Sequence, residues 1–263
     1  MKNQLSAGLV VEGNTTGSAI LRLPKIAEEI GPIKSGSLRI ARRVSNFLRA
    51  GYAVANYEEL QPARMVLLRV PDAAVERVVG ELCSADLDFN ELAFILCDTW
   101  LTSDALTPLK GRGAGVATIC STRASHPKYF AVEGQPTPSR QIRRLLDRND
   151  ALSFELRPGT KELFFAVDLL TTALPVPLFV AAQQALRVCG LTGNPLSVLL
   201  EDNAQDMFRA FSAGGRLIWG GPLTECSPAT AEAHLNVVRE KCPEVADLID
   251  EQLPSARRTM ARP

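Results

Sequence analysis

The stretch Leu9-Val10-Val11-Glu12-Gly13-Asn14-Thr15-Thr16-Gly17 begins with a short apolar run and continues into glycine, amide and hydroxyl residues typical of a turn. An apolar run that ends at a glycine predicts a buried strand followed by a tight turn. Similar short runs alternate with amphipathic segments through the first half of the chain. This alternation predicts a parallel sheet with crossover helices.

Seven short apolar runs are the predicted strands. They are Leu9 to Val11, Tyr52 to Val54, Met65 to Val70, Ala93 to Cys97, Val116 to Cys120, Tyr129 to Val132 and Leu152 to Leu156. Amphipathic helices are expected between them at Ser37 to Ala50, Asp72 to Leu82 and Ser139 to Leu146. Loops in compact α/β domains usually take about 2 to 6 residues. Ser18 to Pro32 is therefore predicted to be an insertion, with a short helix from Leu23 to Ile30.

The pattern changes after Pro158 and Gly159, because no further strand-like run of useful length follows. The chain is thus predicted to contain an α/β domain at residues 1–157 and an all-helical domain at residues 158–263. Lys161 to Cys189 would be one long apolar helix that Pro175 and Pro177 must break or kink. Further helices are expected at Pro195 to Ser212, Pro228 to Arg239 and Pro243 to Gln252, with a glycine-rich link from Gly214 to Pro222 and a frayed tail after Pro254.

Charge and cysteine content exclude several classes of partner. The 29 basic and 29 acidic residues balance, which gives no electrostatic footprint for nucleic acid or an anionic membrane. The six cysteines form no CxxC pair and have no neighbouring histidine spacing, so neither a zinc site nor a disulfide framework is predicted. The apolar run near the N-terminus is too short for a signal peptide. We expect a cytoplasmic protein without a metal, a nucleic-acid partner or a membrane partner.

Two segments are candidates for binding phosphate groups. The first is the turn after the Leu9 strand, where glycines would let the backbone approach a pyrophosphate: Gly13, Asn14, Thr15, Thr16 and Gly17. The second is the start of the next helix, which offers hydroxyl groups and cations: Ser35, Gly36, Ser37, Arg39 and Arg43. Glu12 departs from the usual glycine pattern, and its carboxylate would repel phosphate if it faced the turn. For both segments the alternative is an ordinary turn with a serine N-cap.

A dinucleotide bound here is expected to be NADP rather than NAD. In dinucleotide folds an acidic residue at the end of the second strand bonds the ribose diol, whereas an arginine nearby accommodates the 2′-phosphate. The Tyr52 strand, counted as the second, runs into Val54-Ala55-Asn56-Tyr57 without a carboxylate, and Arg39 and Arg43 lie near the first crossover helix. The alternatives are NAD, no nucleotide at all, and a solvated arginine face.

Several motifs, taken in order, resemble those of a known family. They are Gly51 to Val54, Ala63 to Asp72, Leu106 to Ala114, Phe130 to Gly134, Gly159 to Ala166, Trp219 to Leu223 and His234-Leu235. The chain resembles the Rossmann-like bacterial proteins of unknown function that are related to ketopantoate reductase, pyrroline-carboxylate reductase and similar NADP-dependent reductases. The resemblance implies a Rossmann-like NAD(P)-binding domain followed by a helical C-terminal domain, with the substrate in the cleft between them. It also implies that Val70 and Pro71 flank the cofactor ribose.

Three polar motifs of that family are replaced in this chain. Relatives carry His-Pro after the fifth strand, Tyr-His at the start of the long helix and Arg-Gly-Asp after the late glycine-proline turn. The corresponding residues here are Cys120-Ser121, Phe164-Phe165 and Glu225-Cys226-Ser227. Most groups that could move a proton are therefore missing. A catalytically degenerate nucleotide sensor and a structural dimer that binds nothing stand as alternatives to an NAD(P)-dependent oxidoreductase.

Hydride transfer needs a proton donor or acceptor near the reacting oxygen or nitrogen. Asp168, in an apolar helix, and Lys161, more than one turn before it, are the catalytic candidates. Their alternatives are a carboxylate paired in the core and a solvated lysine. Asp98 and Thr99 follow the Ala93 strand and are cofactor-site candidates, because open α/β sheets bind ligands at that edge.

Three residues are candidates for contacting the substrate. Trp100 could cover a nicotinamide ring or simply pack in the core. By the family resemblance, Asn203 and Arg209 fall where the helical domain faces the cofactor, and arginine is a natural clamp for carboxylates and phosphates. The helical domain should also dimerise, because a helix as apolar as Leu163 to Val188 needs cover on most sides. We expect a homodimer through the C-terminal half.

Overall fold

In the computed structural model, residues 7–13, 18–121, 129–214 and 225–260 are described. The chain forms two compact units, Met1–Val167 and Asp168–Pro263. The first unit is α/β and the second is helical. Along the sequence, the boundary between the units falls within the helix that begins at Lys161.

One eight-stranded sheet organises the first unit, with the strand order β3-β2-β1-β4-β5-β6-β7-β8. The strands are β1 Ala7–Val11, β2 Ile30–Ser35, β3 Tyr52–Ala53, β4 Met65–Arg69, β5 Ala93–Cys97, β6 Gly115–Ser121, β7 Tyr129–Gly134 and β8 Leu152–Glu155. All neighbouring strands are parallel except β6 and β7, which are antiparallel. The order of the first six strands is that of dinucleotide-binding Rossmann domains. The predicted α/β, Rossmann-like fold is therefore confirmed.

The central strands are apolar on both faces because both faces are covered. Leu9, Leu67 and Ile95 lie in one buried cluster, whereas Val10 and Leu68 lie in the other. Side chains alternate between the faces of a strand, so each short run supplies both layers of the core. This burial explains why the strands were recognisable as unbroken apolar runs.

The strand β2 overturns the prediction of an insertion from Ser18 to Pro32 with a helix at Leu23 to Ile30. Ile30–Ser35 pairs in parallel with β1, and Leu9 lies opposite Ile33. Residues 18–29 are the crossover from β1 to β2, and they contain two 3₁₀ turns, Ile20–Arg22 and Ile26–Glu28. Gly31 and Pro32 hid the strand, since both residue types are depleted in strands. Tyr52–Ala53 is consequently the third strand of the chain.

Within the described residues, five α-helices begin in the α/β unit. They are α1 Leu38–Leu48, α2 Asp72–Ser84, α3 Thr107–Gly111, α4 Pro136–Arg148 and α5 Lys161–Asp168. Ser37 begins α1 as predicted, because its Oγ accepts a hydrogen bond from the Ile40 N–H at 3.3 Å. Arg49 ends α1 in the left-handed conformation with φ 53°. The predicted helices at Ser37, Asp72 and Ser139 are thus present, with small shifts at their ends.

The second unit contains α6 Pro175–Val188, α7 Asn194–Gly214, α8 Pro228–Lys241 and α9 Pro243–Met260. The predicted break before Pro175 takes the form of a π turn at Leu169–Ala173, in which the Leu174 N–H donates to the Leu169 carbonyl oxygen at 3.0 Å. Proline lacks an N–H and crowds the preceding turn, so the helix widens there. Most of the predicted link from Gly214 to Pro222 lies outside the described residues.

The helix α9 corrects the prediction of a frayed tail after Pro254. It continues to Met260 with Pro254 inside it. A proline removes one hydrogen bond, whereas Leu253 and Ala256 on either side line a groove against α6. Packing on α6 therefore maintains the helix beyond the proline.

One helical stretch, Lys161–Val188, is long and apolar enough to cross a membrane by length and composition alone. It has 28 residues, and its most apolar window of 18 residues has a mean hydropathy of 2.0, none of which is buried.

Candidate functional site

The candidate site lies where the parallel strands end in the middle of the sheet. Val11, the last residue of β1, lies opposite Ser35 of β2 on one side and Arg69 of β4 on the other. The chain leaves β1 toward β2 and β3 in one direction and returns to β4 and β5 in the other. Open α/β sheets form a ligand crevice at such a switch point.

The first candidate loop begins at Gly13, whose φ of +71° is open mainly to glycine. A Cβ atom at this position would lie 3.0 Å from the Pro71 Cγ atom. Both the backbone conformation and the space therefore require glycine, and the turn starts close against the beginning of α2. Asn14, Thr15, Thr16 and Gly17 lie outside the described residues.

The carboxylate of Glu12 faces α2 and pairs with an arginine there. It forms an ion pair with Arg77, whose Nη1 atom also lies 2.6 Å from Glu81 Oε1. The Glu12 backbone N–H donates to the Arg69 carbonyl oxygen at 3.0 Å. Because Arg77 is shared with Glu81, it offsets only part of the repulsion of phosphate expected from Glu12.

The second candidate loop follows β2. Ser35 is buried, and its Oγ donates to the Val11 carbonyl oxygen at 2.7 Å, so this hydroxyl ties β2 to β1. Gly36 and Ser37 are exposed. Arg39 and Arg43 are also exposed, and within the described ranges neither forms an ion pair with a carboxylate.

The position that reads the ribose moves with the strand assignment. Val54-Ala55-Asn56-Tyr57 follow β3, so the prediction that counted the Tyr52 strand as the second is wrong. The second strand ends in Ser35-Gly36-Ser37, which also lacks a carboxylate. Glu59 accepts hydrogen bonds from the Ala55 and Asn56 N–H groups at 2.8 and 2.9 Å and so closes its own turn.

A further cation stands at the base of the second loop. Lys34 Nζ donates to the Ser35 carbonyl oxygen at 2.7 Å and lies 4.7 Å from the centre of the Tyr57 ring. The Tyr57 hydroxyl donates to Glu81 Oε2 at 2.8 Å. Burial and this bond to Glu81 raise the pKa of Tyr57, which stays neutral. The sequence placed Lys34 near this loop, but nothing in it indicated the stacking on Tyr57.

At the ends of β4 and β5, three candidate residues have structural roles. Val70 is buried, and Pro71 is the N-cap of α2. Thr99 is buried, and its Oγ1 donates to Asp72 Oδ1 at 2.8 Å while accepting from the Leu101 N–H at 3.0 Å. The Thr99 hydroxyl therefore joins the end of β5 to the start of α2.

Asp98 is held between β4, β5 and the crossover. It has a positive φ of 56°, uncommon for a residue other than glycine. Its carboxylate accepts from Ser18 Oγ at 2.6 Å and from the Ala19 N–H at 3.2 Å, and it lies 3.2 Å from Arg69 Nε. Burial raises the pKa of Asp98, whereas the Ser18 hydrogen bond and the Arg69 charge oppose this rise. Arg69 was not singled out from the sequence, although an arginine that ends an apolar buried run was a visible signal.

Comparison with solved structures finds the same architecture in other proteins. A Bacteroides fragilis protein described as a putative NADP oxidoreductase has a TM-score of 0.73 and 12% identity, covering 96% of this chain and 97% of its own. A pyrroline-5-carboxylate reductase of Coxiella burnetii has a TM-score of 0.61 and 15% identity, covering 98% of both chains. An imine reductase of Bacillus cereus has a TM-score of 0.64 and 15% identity, covering 97% of this chain and 93% of its own.

The fold is that of these reductases. The predicted combination of a Rossmann-like domain and a helical C-terminal region is thereby confirmed. No family model matches the sequence, and no curated protein matches it. The relation to ketopantoate reductase stays a prediction.

Lys161, the first residue of α5, is fully buried, so the alternative of a solvated lysine is wrong. Its Nζ donates to the Leu101 carbonyl oxygen and to Thr118 Oγ1, the latter at 2.6 Å. Thr118 in turn donates to Glu133 at 3.3 Å, and Glu133 accepts from the N–H and hydroxyl of Ser103, each at 2.7 Å. Burial lowers the pKa of Lys161, and nearby Cys120 and Glu133 oppose this shift.

Trp100 packs in an aromatic cluster. Its ring centre lies 5.1 Å from that of Phe165 in an edge-on arrangement and 6.0 Å from that of Phe164. Phe154 meets Phe164 edge-on at 5.3 Å. Where the family resemblance implies a Tyr-His pair, this chain therefore has an apolar contact that can donate no proton.

The remaining candidates belong to the helical unit. The backbone oxygen of half-buried Asp168 accepts from Thr172 Oγ1 at 2.6 Å. Asn203 is exposed on α7, and exposed Arg209 pairs with Asp206 at 2.9 Å. The roles assigned to these three residues stay predictions. Within the ranges that the structure describes, no group of three or more metal-ligating side chains comes together.

Proposed function

We propose that this protein binds NADP at the carboxyl edge of its sheet and acts as an NADP-dependent reductase. The observation that carries the proposal is the end of β2, where Ser35-Gly36-Ser37 lies beside the turn that starts at Gly13. In dinucleotide folds the end of the second strand meets the adenosine ribose, and a carboxylate there favours NAD. Here serine replaces the carboxylate.

Charge at the start of α1 supports the extra phosphate of NADP. The exposed arginines Arg39 and Arg43 lie in the first two turns of the helix, close to the exposed Ser37. A helix N-terminus favours negative charge, and guanidinium groups form strong charge-assisted hydrogen bonds with phosphate. Both effects act where the 2′-phosphate would lie.

Titration of the protein with NADP and NAD tests this part. A charge-assisted hydrogen bond contributes about 1.5 to 3 kcal/mol, so NADP should bind roughly 10 to 100 times more tightly than NAD. Arg39→Ala and Arg43→Ala should each weaken NADP binding and leave NAD binding little changed. Arg49→Asn, at the other end of α1, removes a charge but tolerates the left-handed backbone, and it should change neither. Equal affinity for both dinucleotides in the parent protein would contradict the proposal.

A reductase must also deliver a proton. NADPH supplies a hydride to the carbon of a C=O or C=N bond, and the oxygen or nitrogen then needs one proton. We assign this role to Lys161, because the Leu101 carbonyl oxygen and Thr118 Oγ1 orient its ammonium group. Glu133 in turn accepts a hydrogen bond from Thr118. Burial lowers the pKa of Lys161, and the negative charge of the nearby Glu133 opposes this shift, which helps the ammonium group to keep its proton.

A second candidate function is nucleotide binding without turnover. The cluster of Trp100, Phe164 and Phe165 favours it, since this cluster occupies the place of the family's polar pair. Single-turnover oxidation of NADPH with cyclic imines and 2-oxo acids separates the two functions. If the protein is a reductase, Lys161→Met should abolish turnover but keep NADP binding. If no member of either class oxidises NADPH while NADP binds, the protein is a nucleotide-binding sensor.

We also propose that the helical unit joins two copies into a cytoplasmic homodimer. Its helices expose large apolar side chains, including Leu170 at 61%, Phe208 at 56% and Phe211 at 59%. A groove of about 710 Å³ between α6 and α9 is lined mainly by apolar residues, among them Ala182 and Leu248. Soluble monomers rarely expose apolar patches larger than about 300 to 600 Å². A second copy that places its own apolar helices against this surface would cover it.

A membrane would also cover this apolar surface. Two observations favour a second copy of the chain as the cover. Lys161 begins the apolar helix yet is bonded inside the α/β unit. Gln184, within α6, donates to Glu244 of α9 at 3.2 Å. Charged and polar side chains are costly inside a membrane and are rare in membrane-spanning helices. The lysine at the start of this helix and the glutamine within it therefore argue against a lipid-facing position.

A further inference from the structure

Arg69 is a charged residue at the end of a buried apolar strand. The four residues before it in β4 are all buried, and its own side chain is only 16% exposed. Its Nε atom is buried and, within the described part of the chain, has no hydrogen-bond partner. Asp98 Oδ2 lies 3.2 Å away, which gives a charge contact without hydrogen-bond geometry.

Asp98 is already engaged by other donors. Ser18 Oγ and the Ala19 N–H hold its two carboxylate oxygens at 2.6 and 3.2 Å. Asp98 therefore stays fixed and does not turn to satisfy the guanidinium, which carries five N–H donors. A buried guanidinium N–H group that lacks an acceptor is costly, and such a group in a folded protein needs an explanation.

The position of Arg69 in the sheet offers an explanation for this buried N–H group without an acceptor. It lies opposite Val11 at the switch point of the sheet, and Gly13 and Pro71 meet just beyond these two strand ends. Ligands of open α/β sheets bind in this crevice. A guanidinium there matches the geometry of carboxylate and phosphate groups.

We propose that Arg69 binds an anionic group of a ligand in this crevice and that Asp98 is its internal counter-ion. Asp98 holds the guanidinium in place and competes with the ligand for its charge. The anion is a phosphate or a carboxylate, and it belongs either to the dinucleotide pyrophosphate or to the substrate. Only this choice of source rests on the proposed function, because the anion site itself is defined by Arg69 and Asp98.

A purely structural ion pair makes a different prediction. If Arg69 and Asp98 only stabilise the fold, removing either charge should weaken anion binding. If Arg69 binds an anion, Arg69→Met should weaken anion binding, whereas Asp98→Asn should strengthen it. Opposite signs for the two variants therefore distinguish the proposal from structural pairing.

The first experiment titrates the full chain, without nucleotide, with inorganic pyrophosphate and with pyruvate. Arg69→Met should lower the affinity for at least one of these probes at least tenfold, Arg69→Lys should restore part of it, and Asp98→Asn should raise it. The double variant Arg69→Met with Asp98→Asn leaves no unpaired charge and serves as the folded control without anion binding. Unchanged affinity in Arg69→Met, or losses of similar size in both single variants, would overturn the proposal.

A second titration, with NADP, identifies the source. A loss of NADP affinity in Arg69→Met, with pyruvate unaffected, assigns the anion to the pyrophosphate. A loss of pyruvate affinity alone assigns it to a substrate carboxylate. If the parent protein binds pyrophosphate through Arg69 but fails to bind NADP, the proposed reductase function fails while the anion site stands.

Discussion

Ser35 Oγ donates a hydrogen bond of 2.7 Å to the Val11 carbonyl oxygen, and this bond joins the last residues of β2 and β1. The two candidate phosphate loops begin immediately after these residues. Their spacing is therefore set by one buried side-chain contact and by the parallel register of the two strands.

Removing this contact should affect both stability and binding. Ser35→Ala leaves a buried carbonyl without its side-chain partner and should lower the free energy of unfolding by about 1 to 3 kcal/mol. NADP affinity should fall with it, because the loops lose their fixed spacing. Urea unfolding and NADP titration measure the two effects, and a variant with the parent's stability would show that the bond contributes nothing.

Gly13 and Gly36 offer a matched pair of substitutions. Gly13→Ala forces a side chain into a positive φ and against Pro71, so it should cost about 1 to 2 kcal/mol and weaken NADP binding. Gly36→Ala meets nothing within 4 Å and should be tolerated. Thermal unfolding compares them. Equal losses in the two variants would mean that the close approach of Gly13 to Pro71 is unimportant.

Lys161 should give a characteristic dependence of stability on pH. Its pKa is lowered by burial, so the folded state disfavours the charged form that the unfolded chain carries. This cost is fully present below the lowered pKa and is relieved as the pH rises through it toward the ordinary value of 10.5. The free energy of unfolding of the parent, relative to Lys161→Met, should therefore increase from neutral to alkaline pH. A difference that stays constant or decreases would contradict a lowered pKa.

The homodimer predicts a specific response to charge in the groove. The parent should sediment as a dimer at micromolar concentration, and Ala182→Glu should shift it toward monomer, because a buried carboxylate is costly. Val237→Glu changes an exposed apolar residue of α8 outside the groove and should leave the dimer intact. A monomeric parent, or a parent that sediments with neutral phosphatidylcholine vesicles, would refute the proposed dimer.

Sequence reasoning succeeded where local pattern decides the structure. The runs at Ala93–Cys97 and Met65–Arg69 are buried on both faces and were recognisable as strands. The predicted disruption at Pro175 is present as a π turn within the long helix, because proline has no N–H to donate. The strand β2 was missed because Gly31-Pro32 interrupts its apolar character. The missing strand also displaced the predicted ribose position.

The polar groups of the site depend on contacts between distant residues. Ser18 and Asp98 are 80 positions apart, and Lys161 and Thr118 are 43 apart. No periodicity in the sequence links such pairs. The sequence therefore indicated Lys161 and Asp98 as single candidates, but it did not indicate the residues that form hydrogen bonds with them. Arg69 and Glu133 carried a weaker signal, each being a charged residue in an apolar strand.

The crossover between β1 and β2 has a consequence for the order of folding. It contains two 3₁₀ turns of three residues each in place of a helix, and such short turns do not persist alone in water. Ser18 and Ala19 at its start bond to Asp98, so the crossover reaches its native form only after β5 has joined the sheet. Contacts between residues far apart in the chain form late because closing the loop between them costs entropy. The amide protons of this crossover should accordingly exchange with solvent before those of β4 and β5, so this edge of the sheet should open before the central strands do.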